Sequence, residues 1–205
     1  MTAVLVGASG FLLFYPTDWL HLRGWATARF GLLVLGAAAQ AYAFLLAVGG
    51  AQGLEFPTAV VWLGWVLLPV AGGLLVYSLF LEIPFTNAYL RPPNALREGG
   101  ELVTTGTYAL TRHPGVLWYT LLVFALVLVS GSRDMLVGAP VWVAMDVVWV
   151  VLQDRVFFPR IFSRYREYAR TTPMLIPTRG SLAACLATLG PRRRHTNFNA
   201  RTKGD

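Results

Sequence analysis

Two groups of polar residues in this sequence have the types and the placement of a small-molecule site. The first group is Gly106, Tyr108, Arg112 and His113, which stand directly before an apolar stretch that begins at Pro114. The second group follows the last long apolar stretch, and its members are Gln153, Asp154, Arg155, Arg160, Arg164, Tyr165, Arg166, Glu167, Tyr168 and Arg170. If the two stretches form an antiparallel helical hairpin, both groups lie at the same end of it. This predicts a polar pocket at the mouth of an apolar bundle, suited to a ligand with a charged head and to a lipophilic second substrate.

A further polar residue, Asp146, lies inside the last apolar stretch, with Trp149 and Gln153 at positions i+3 and i+7. On a helix this spacing places the three side chains on one face. An acid within a membrane segment is costly and usually points to the bundle interior or to a water-filled cavity. Two interpretations stay open: a structural hydrogen bond or ion pair, and a functional role. We interpret Gln40, in an earlier apolar stretch, as a helix–helix contact rather than as the partner of Asp146.

Several common kinds of site are not indicated. The histidines His21, His113 and His195 lack the spacing of metal ligands, so we expect no metal site. The single cysteine, Cys185, can form neither an internal disulfide nor a thiolate cluster by itself. No Walker loop, GxGxxG, HExxH or GxSxG pattern occurs, which removes the usual soluble nucleotide-binding and hydrolase explanations.

The elements that position these residues are those of a membrane protein. Hydrophobic residues make up 56% of the chain and charged residues only 13%, against about 25% charged in a typical soluble domain. No charge occurs in three long stretches, which are 30–54, 57–81 and 114–132. Each is about as long as the roughly 20 apolar residues that cross a bilayer. We therefore predict an all-α fold, a polytopic membrane helical bundle.

About five transmembrane helices are predicted, at residues 2–15, 28–50, 57–81, 114–131 and 136–157. The first is a short membrane helix or a re-entrant element, and whether it spans stays open. It is not a signal peptide, because it lacks a basic n-region and a clear cleavage site. Arg133 and Asp134 are predicted to form the tight turn that joins the last two helices into a hairpin.

The positive charges predict the orientation. Of the 17 Lys and Arg residues, 11 lie at or after Arg155, and the 82–113 connection carries three more. Because positive residues favour the cytoplasmic side, we place this connection, the pocket and the C-terminal tail in the cytoplasm. We expect one membrane domain, 1–180, followed by a basic, flexible tail, 181–205. The tail contacts membrane lipids rather than nucleic acid.

Two separated blocks of sequence carry a resemblance. Thr105-Gly106-Thr107-Tyr108 and Arg112-His113-Pro114 resemble the T-G-x-Y-x-x-x-R-H-P signature of the isoprenylcysteine carboxyl methyltransferase family and its bacterial relatives, which include phospholipid methyltransferases. Downstream, the family's pair of acids is Gln153-Asp154 here, followed by Tyr165, Tyr168 and a segment that ends at Pro177. The resemblance covers about residues 100–177, and the replacement of the first acid by Gln153 is a departure.

The resemblance implies an S-adenosylmethionine-dependent methyltransferase that holds its cofactor in a cytoplasmic pocket at the last two helices. It implies catalytic roles for Arg112 and Asp154. The implied cofactor-binding residues are Gly106, Tyr108, Arg112, His113, Pro114, Tyr165 and Tyr168. In such a site, Arg112 is suited to the cofactor carboxylate, and the aromatic faces of Tyr108 or Trp118 are suited to its sulfonium. Methyl transfer is an in-line displacement, so orientation and exclusion of water do most of the work.

Two other functions stay open at this point. One is a sterol-reductase-like membrane reductase that uses NADPH, and the other is a non-enzymatic membrane scaffold. The methyl acceptor also stays open among a prenylated cysteine carboxylate, a phospholipid amine, a small thiol and an isoprenoid or quinone-like lipid. The sequence does not give the oligomeric state.

Overall fold

A computed structural model describes residues 1–50, 53–83 and 102–189, and in these ranges the secondary structure is helical. The helices are α1 Thr2–Phe14, α2 Thr17–Leu22, α3 Ala26–Val48, α4 Thr58–Val76, α5 Thr107–Leu110, α6 Pro114–Ser130, α7 Arg133–Leu152, α8 Phe158–Ile161, α9 Tyr165–Thr171 and α10 Arg179–Thr188. Two π-helical turns, Tyr77–Glu82 and Gln153–Phe157, continue α4 and α7.

The helices form the all-α membrane bundle that the sequence predicts. Four stretches are long and apolar enough to cross a membrane: Thr2–Leu22, Ala26–Val48, Thr58–Glu82 and Arg133–Ile161. The fifth, α6, has 17 residues, which makes it about 25 Å long at 1.5 Å per residue. Large apolar side chains face outward, with Leu45 73% and Trp62 66% exposed. Such a surface suits contact with lipid rather than water.

Glycines allow the close approach of α1 to its neighbours. A Cβ on Gly10 would lie 3.0 Å from the carbonyl oxygen of Gly36 in α3, and a Cβ on Gly7 would overlap the indole of Trp142 in α7. The Trp142 indole is fully buried, and its Nε1 donates a hydrogen bond to the Val4 carbonyl at 3.1 Å. Small residues that let helix backbones approach are typical of membrane bundles, and here they bring α1, α3 and α7 together.

The hairpin between α6 and α7 has a different turn from the one predicted. Gly131 takes the left-handed conformation, with φ 59°, and ends α6. Ser132 caps α7, because its side chain accepts a hydrogen bond from the Met135 backbone N–H. Arg133 and Asp134 therefore belong to the first turn of α7, and Asp134 pairs with the N-terminal ammonium group at 3.0 Å.

The segment expected to be a tail begins as a packed helix. Helix α10 crosses residue 180 and starts with a capping box between Thr178 and Ser181. It packs against α5, where Cys185 contacts Ala109 and Leu110 in a small apolar cluster. Burial raises the pKa of the Cys185 thiol. The rest of the expected tail, 190–205, lies outside the described residues.

Candidate active site

A cavity of about 600 Å³ lies between the helices, within the range of about 300–1,000 Å³ that is usual for small-molecule sites. We call its mouth the end of the bundle at which α2 lies, α6 begins and α7 ends. Polar side chains line the cavity at two levels. Those at the mouth include Asp18, His21, Arg29, Tyr108, Arg112, His113, Gln153, Tyr165 and Tyr168. Those deeper in the bundle are Gln40, Tyr119 and Asp146.

The structure brings the two polar groups together through one ion pair. The Arg112 Nε donates to Asp154 Oδ1 at 2.8 Å, and Nη2 donates to Oδ2 at 2.9 Å. The remaining nitrogen, Nη1, donates to the carbonyl oxygens of Ala169 at 2.8 Å and Thr172 at 2.9 Å. Two parallel N–H···O bonds to a carboxylate fix geometry as well as charge. Arg112 thus ties the start of α6 to the end of α7 and to α9.

Asp154 is the centre of this network. Besides Arg112, it accepts a hydrogen bond from the Tyr165 hydroxyl at 2.5 Å, and His113 Nε2 lies 3.3 Å from Oδ1. Burial and the neighbouring carboxylate raise the pKa of the Tyr165 phenol, which therefore remains a hydrogen-bond donor. Both oxygens of Asp154 are thus occupied by donors of the protein itself.

His113 directly precedes α6 and is buried beside this carboxylate. Its ring stacks on Phe158, with 5.6 Å between centroids and 19° between planes. Burial lowers the pKa of the His113 imidazole, and the Asp154 carboxylate offsets only part of this effect. The imidazole is therefore neutral at neutral pH. Proline at 114 follows as the first residue of the helix, where its missing N–H leaves no bond unmade.

Two adjacent residues in the π-helical turn at the end of α7, Gln153 and Asp154, have different partners. Gln153 Nε2 donates to Asp18 Oδ2 in α2 at 2.9 Å, whereas the next side chain, Asp154, faces Arg112. Single π-helical turns inside longer helices are frequent at functional sites. Here the turn joins α2 and α6 to the same end of α7.

A second carboxylate, Glu82, organises the turn before α5. It accepts hydrogen bonds from the Thr107 backbone N–H at 2.8 Å and from the Thr107 hydroxyl. Gly106 has φ +63°, and a Cβ there would overlap Glu82 Oε1. A side chain at position 106 is therefore excluded twice, by backbone conformation and by space.

The sequence-predicted site residues divide into two classes. Six line the cavity, and they are Tyr108, Arg112, His113, Pro114, Tyr165 and Tyr168. Gly106 and Asp154 stand outside the described lining. Asp154 binds the lining residue Arg112, whereas the Gly106 backbone N–H donates to the Thr188 hydroxyl in α10. Tyr168 also supports the site, because its hydroxyl donates to the Tyr108 carbonyl at 2.5 Å. Burial raises the pKa of this Tyr168 phenol.

Some expected neighbours of the site lie elsewhere. Trp118, one of the two aromatic residues expected beside a sulfonium, packs against the apolar cluster of α5 and α10 instead. Arg164 and Glu167 form an exposed surface pair at 3.2 Å. Three of the four polar residues before α6 therefore line the cavity, whereas the Arg-rich group after α7 also includes residues of the exposed surface.

Asp18 and His21 in α2 are site residues that no sequence pattern singled out. Both are buried and line the cavity. Asp18 Oδ2 accepts a hydrogen bond from Trp149 Nε1 at 3.2 Å as well as from Gln153. Their i, i+3 spacing next to an apolar stretch was the available signal.

The face predicted for Asp146, Trp149 and Gln153 is confirmed, since all three line the cavity. Gln40 lies where α3 packs against α1, because a Cβ on Gly10 would lie 3.4 Å from the Gln40 backbone nitrogen. Its side chain also lines the cavity, and its amide finds no hydrogen-bond partner within the described ranges. The Tyr119 hydroxyl likewise has no hydrogen-bond partner among the described residues.

The fold and the site together define a polytopic membrane protein with a polar-mouthed cavity among its helices. A profile of the phospholipid methyltransferase family matches residues 59–165, which is more than half of the chain. The chain belongs to this family. Comparisons with curated proteins and with solved structures gave no match. The family resemblance predicted from the two sequence blocks is thereby confirmed, and membership indicates a membrane methyltransferase.

Proposed function

We propose that this protein transfers a methyl group from S-adenosylmethionine to a lipophilic acceptor that enters the cavity from the bilayer. The observation that carries the proposal is the Arg112–Asp154 pair, which joins the two family sequence blocks at the mouth of a single cavity. The apolar surface that lines the deeper cavity is suited to an acceptor with a hydrocarbon part.

The residues at the mouth fit the charges of S-adenosylmethionine. Arg29 and Arg112 supply cationic groups for the carboxylate of the cofactor. Asp18 supplies an anion for its ammonium group, and the faces of Tyr108 and Trp149 favour its sulfonium. When bound, the cofactor supplies an electrophilic methyl carbon on a positively charged sulfur.

In this proposal Arg112 and Asp154 are positioning residues rather than proton carriers. Arg112 spends four of its five N–H groups on Asp154, Ala169 and Thr172, which leaves one N–H on Nη2. Asp154 accepts hydrogen bonds from Arg112 and Tyr165, so a proton would have to displace an existing donor. The pair holds α6, α7 and α9 in fixed positions around the cavity. An in-line displacement requires the methyl donor and the acceptor to be held in a fixed relative orientation, which a fixed cavity wall supports.

The test is calorimetric titration of the purified protein in detergent with S-adenosylmethionine, S-adenosylhomocysteine and NADPH. We expect saturable binding of both adenosyl ligands and no response to NADPH. Absence of adenosyl binding by folded protein would overturn the proposal. A response to NADPH alone would instead favour the membrane reductase, the other enzyme that the sequence leaves open.

We also infer that the mouth of the cavity faces the cytoplasm. The inference rests on positive charge, because Arg23, Arg29 and Arg112 and the Arg residues after α7 lie at that end, whereas the opposite end carries Arg133 beside Asp134. A water-soluble donor of methyl groups is made in the cytoplasm, so this orientation gives the site access to it.

A further inference from the structure

The acid pair of the family is represented in this chain by one amide and one acid, and the two side chains have different surroundings. Asp154 accepts hydrogen bonds from Arg112 and Tyr165, and it stands outside the described lining of the cavity. Gln153 belongs to that lining. The acid that this chain lacks is therefore the one whose side chain would face the cavity.

A carboxylate from another helix reaches the position of the missing acid. Asp18 in α2 lines the cavity, and its Oδ2 accepts a hydrogen bond from Gln153 Nε2 at 2.9 Å. Trp149 Nε1 donates to the same oxygen at 3.2 Å. The Gln153 amide thus holds a carboxylate within hydrogen-bond distance of the place where an acid at position 153 would have its own.

A glutamate at position 153 would conflict with this arrangement. It would set a second carboxylate where the amide N–H now donates to Asp18. Two carboxylates that share a site do not both ionise readily, so one of them takes up a proton. Gln153 and Asp18 are therefore complementary, because the amide donates and the carboxylate supplies the single negative charge of the pair.

Asp18 lies outside the part of the chain that the family profile matches. It belongs to α2, Thr17–Leu22, whereas the profile matches residues 59–165. Within the matched segment, position 153 shows only the loss of an acid. The contact of α2 with the end of α7 returns a carboxylate to the cavity from outside that segment.

The surroundings of Asp18 leave its negative charge available to a ligand. Gln153 and Trp149 are neutral donors, so they orient the carboxylate without cancelling its charge. Arg29 lines the same cavity and attracts this carboxylate. An anionic and a cationic side chain therefore border one space. The amino-acid end of S-adenosylmethionine carries an ammonium and a carboxylate on one carbon, and it matches this pair of charges.

We propose that Asp18 takes the place of the missing acid and binds the ammonium group of the cofactor, and that Gln153 positions Asp18 for this contact. This role of Asp18 rests on the proposed function and assigns part of the cofactor site to α2. Asp18 acts by holding the methyl donor, and no bond is made or broken at its carboxylate. Its effect on methyl transfer is therefore one of orientation.

Calorimetry of the detergent-solubilised protein with two ligands isolates the contribution of the ammonium group. One ligand is S-adenosylhomocysteine, and the other is its deamino analogue, in which hydrogen replaces the amino group. We expect wild type to bind the analogue at least about tenfold more weakly, because a hydrogen bond between charged groups is lost. Asp18→Asn should lose a similar factor for S-adenosylhomocysteine and should bind the two ligands within about twofold of each other.

Exchange of the two side chains tests their complementarity. Adding Gln153→Glu to Asp18→Asn restores one amide and one carboxylate, so the double variant should bind S-adenosylhomocysteine several-fold more tightly than Asp18→Asn alone. In the wild-type background Gln153→Glu should bring no gain, because two carboxylates would then share the site. An equal gain in both backgrounds would contradict the complementarity. The matched control is Glu167→Gln, at an exposed surface pair, where we expect unchanged affinity.

Three results would overturn the role of Asp18 alone. They are equal affinity of wild type for the two ligands, equal affinity of wild type and Asp18→Asn for S-adenosylhomocysteine, and an equal loss of affinity for both ligands in Asp18→Asn, which would make Asp18 structural. The first comparison uses no variant, so it decides the question even where a variant fails to fold. If folded wild type binds neither ligand, the proposed function fails and the role of Asp18 fails with it.

Discussion

The guanidinium of Arg112 donates hydrogen bonds to both carboxylate oxygens of Asp154, which lies 42 residues later in the sequence. The N···O distances are 2.8 Å and 2.9 Å. Arg112 precedes α6 and Asp154 follows α7, so the two residues meet at the open end of one helical hairpin. Their pairing brings the Arg-His-Pro motif and a carboxylate from the second sequence block together at the mouth of the cavity.

Arg112→Lys should weaken S-adenosylhomocysteine binding by at least about tenfold, because an ammonium keeps the charge but cannot make the bidentate contact. Calorimetry on the detergent-solubilised variant measures the effect. The matched control is Arg164→Lys, at an exposed surface pair, where we expect unchanged affinity. Wild-type affinity in Arg112→Lys would show that the fork geometry is unimportant.

Gly106→Ala should destabilise the protein by about 1–3 kcal/mol, the usual cost of a backbone conformation that only glycine adopts readily. The new Cβ would also meet the Glu82 carboxylate that holds the turn. Thermal unfolding followed by intrinsic fluorescence measures the change. Gly73→Ala is the control, since a Cβ at position 73 meets nothing within 4 Å and alanine favours a helix by about 1 kcal/mol over glycine. Equal midpoints for the two variants would contradict the assigned role of Gly106.

Stability should fall on acidification through His113. Its pKa is lowered in the folded protein by burial, despite the nearby Asp154 and with Arg112 opposing protonation. Below about pH 6.5, the unfolded chain therefore binds a proton that the folded chain does not, and stability is lost as pH falls further. Above that pH this group has no effect. Unfolding midpoints of wild type and His113→Gln, compared between about pH 5 and 8, should converge at the acidic end; parallel curves would rule the effect out.

The orientation is open to labelling with a membrane-impermeant maleimide. Ser163 is exposed near the mouth and Thr58 is exposed at the opposite end. In a Cys185→Ala background, we expect Ser163→Cys to react only in inside-out vesicles and Thr58→Cys only in intact cells. The charge bias supplies the physical reason. The reverse pattern would place the cavity mouth outside the cytoplasm.

The sequence by itself determined the class of the fold and the family. Long uncharged stretches can be satisfied in a membrane only by segments that pair their own backbone groups, and helices do so locally. The two blocks around Arg112 and Asp154 were recognisable because a mouth site needs particular side chains at fixed positions on adjacent helices. The face shared by Asp146, Trp149 and Gln153 followed from helical spacing alone.

Only the tertiary structure decided which of these residues face the cavity and which hold it. Gly106 and Asp154 share the motif blocks with lining residues, yet Gly106 leaves the space that Glu82 occupies and Asp154 binds Arg112. Asp18 and Gln40 line the cavity because close contacts at glycines pack α1 against α3 and α7. The spacing of residues in the sequence does not predict that packing. Local pattern fixes the face of a helix, whereas the packing of several helices fixes what that face meets.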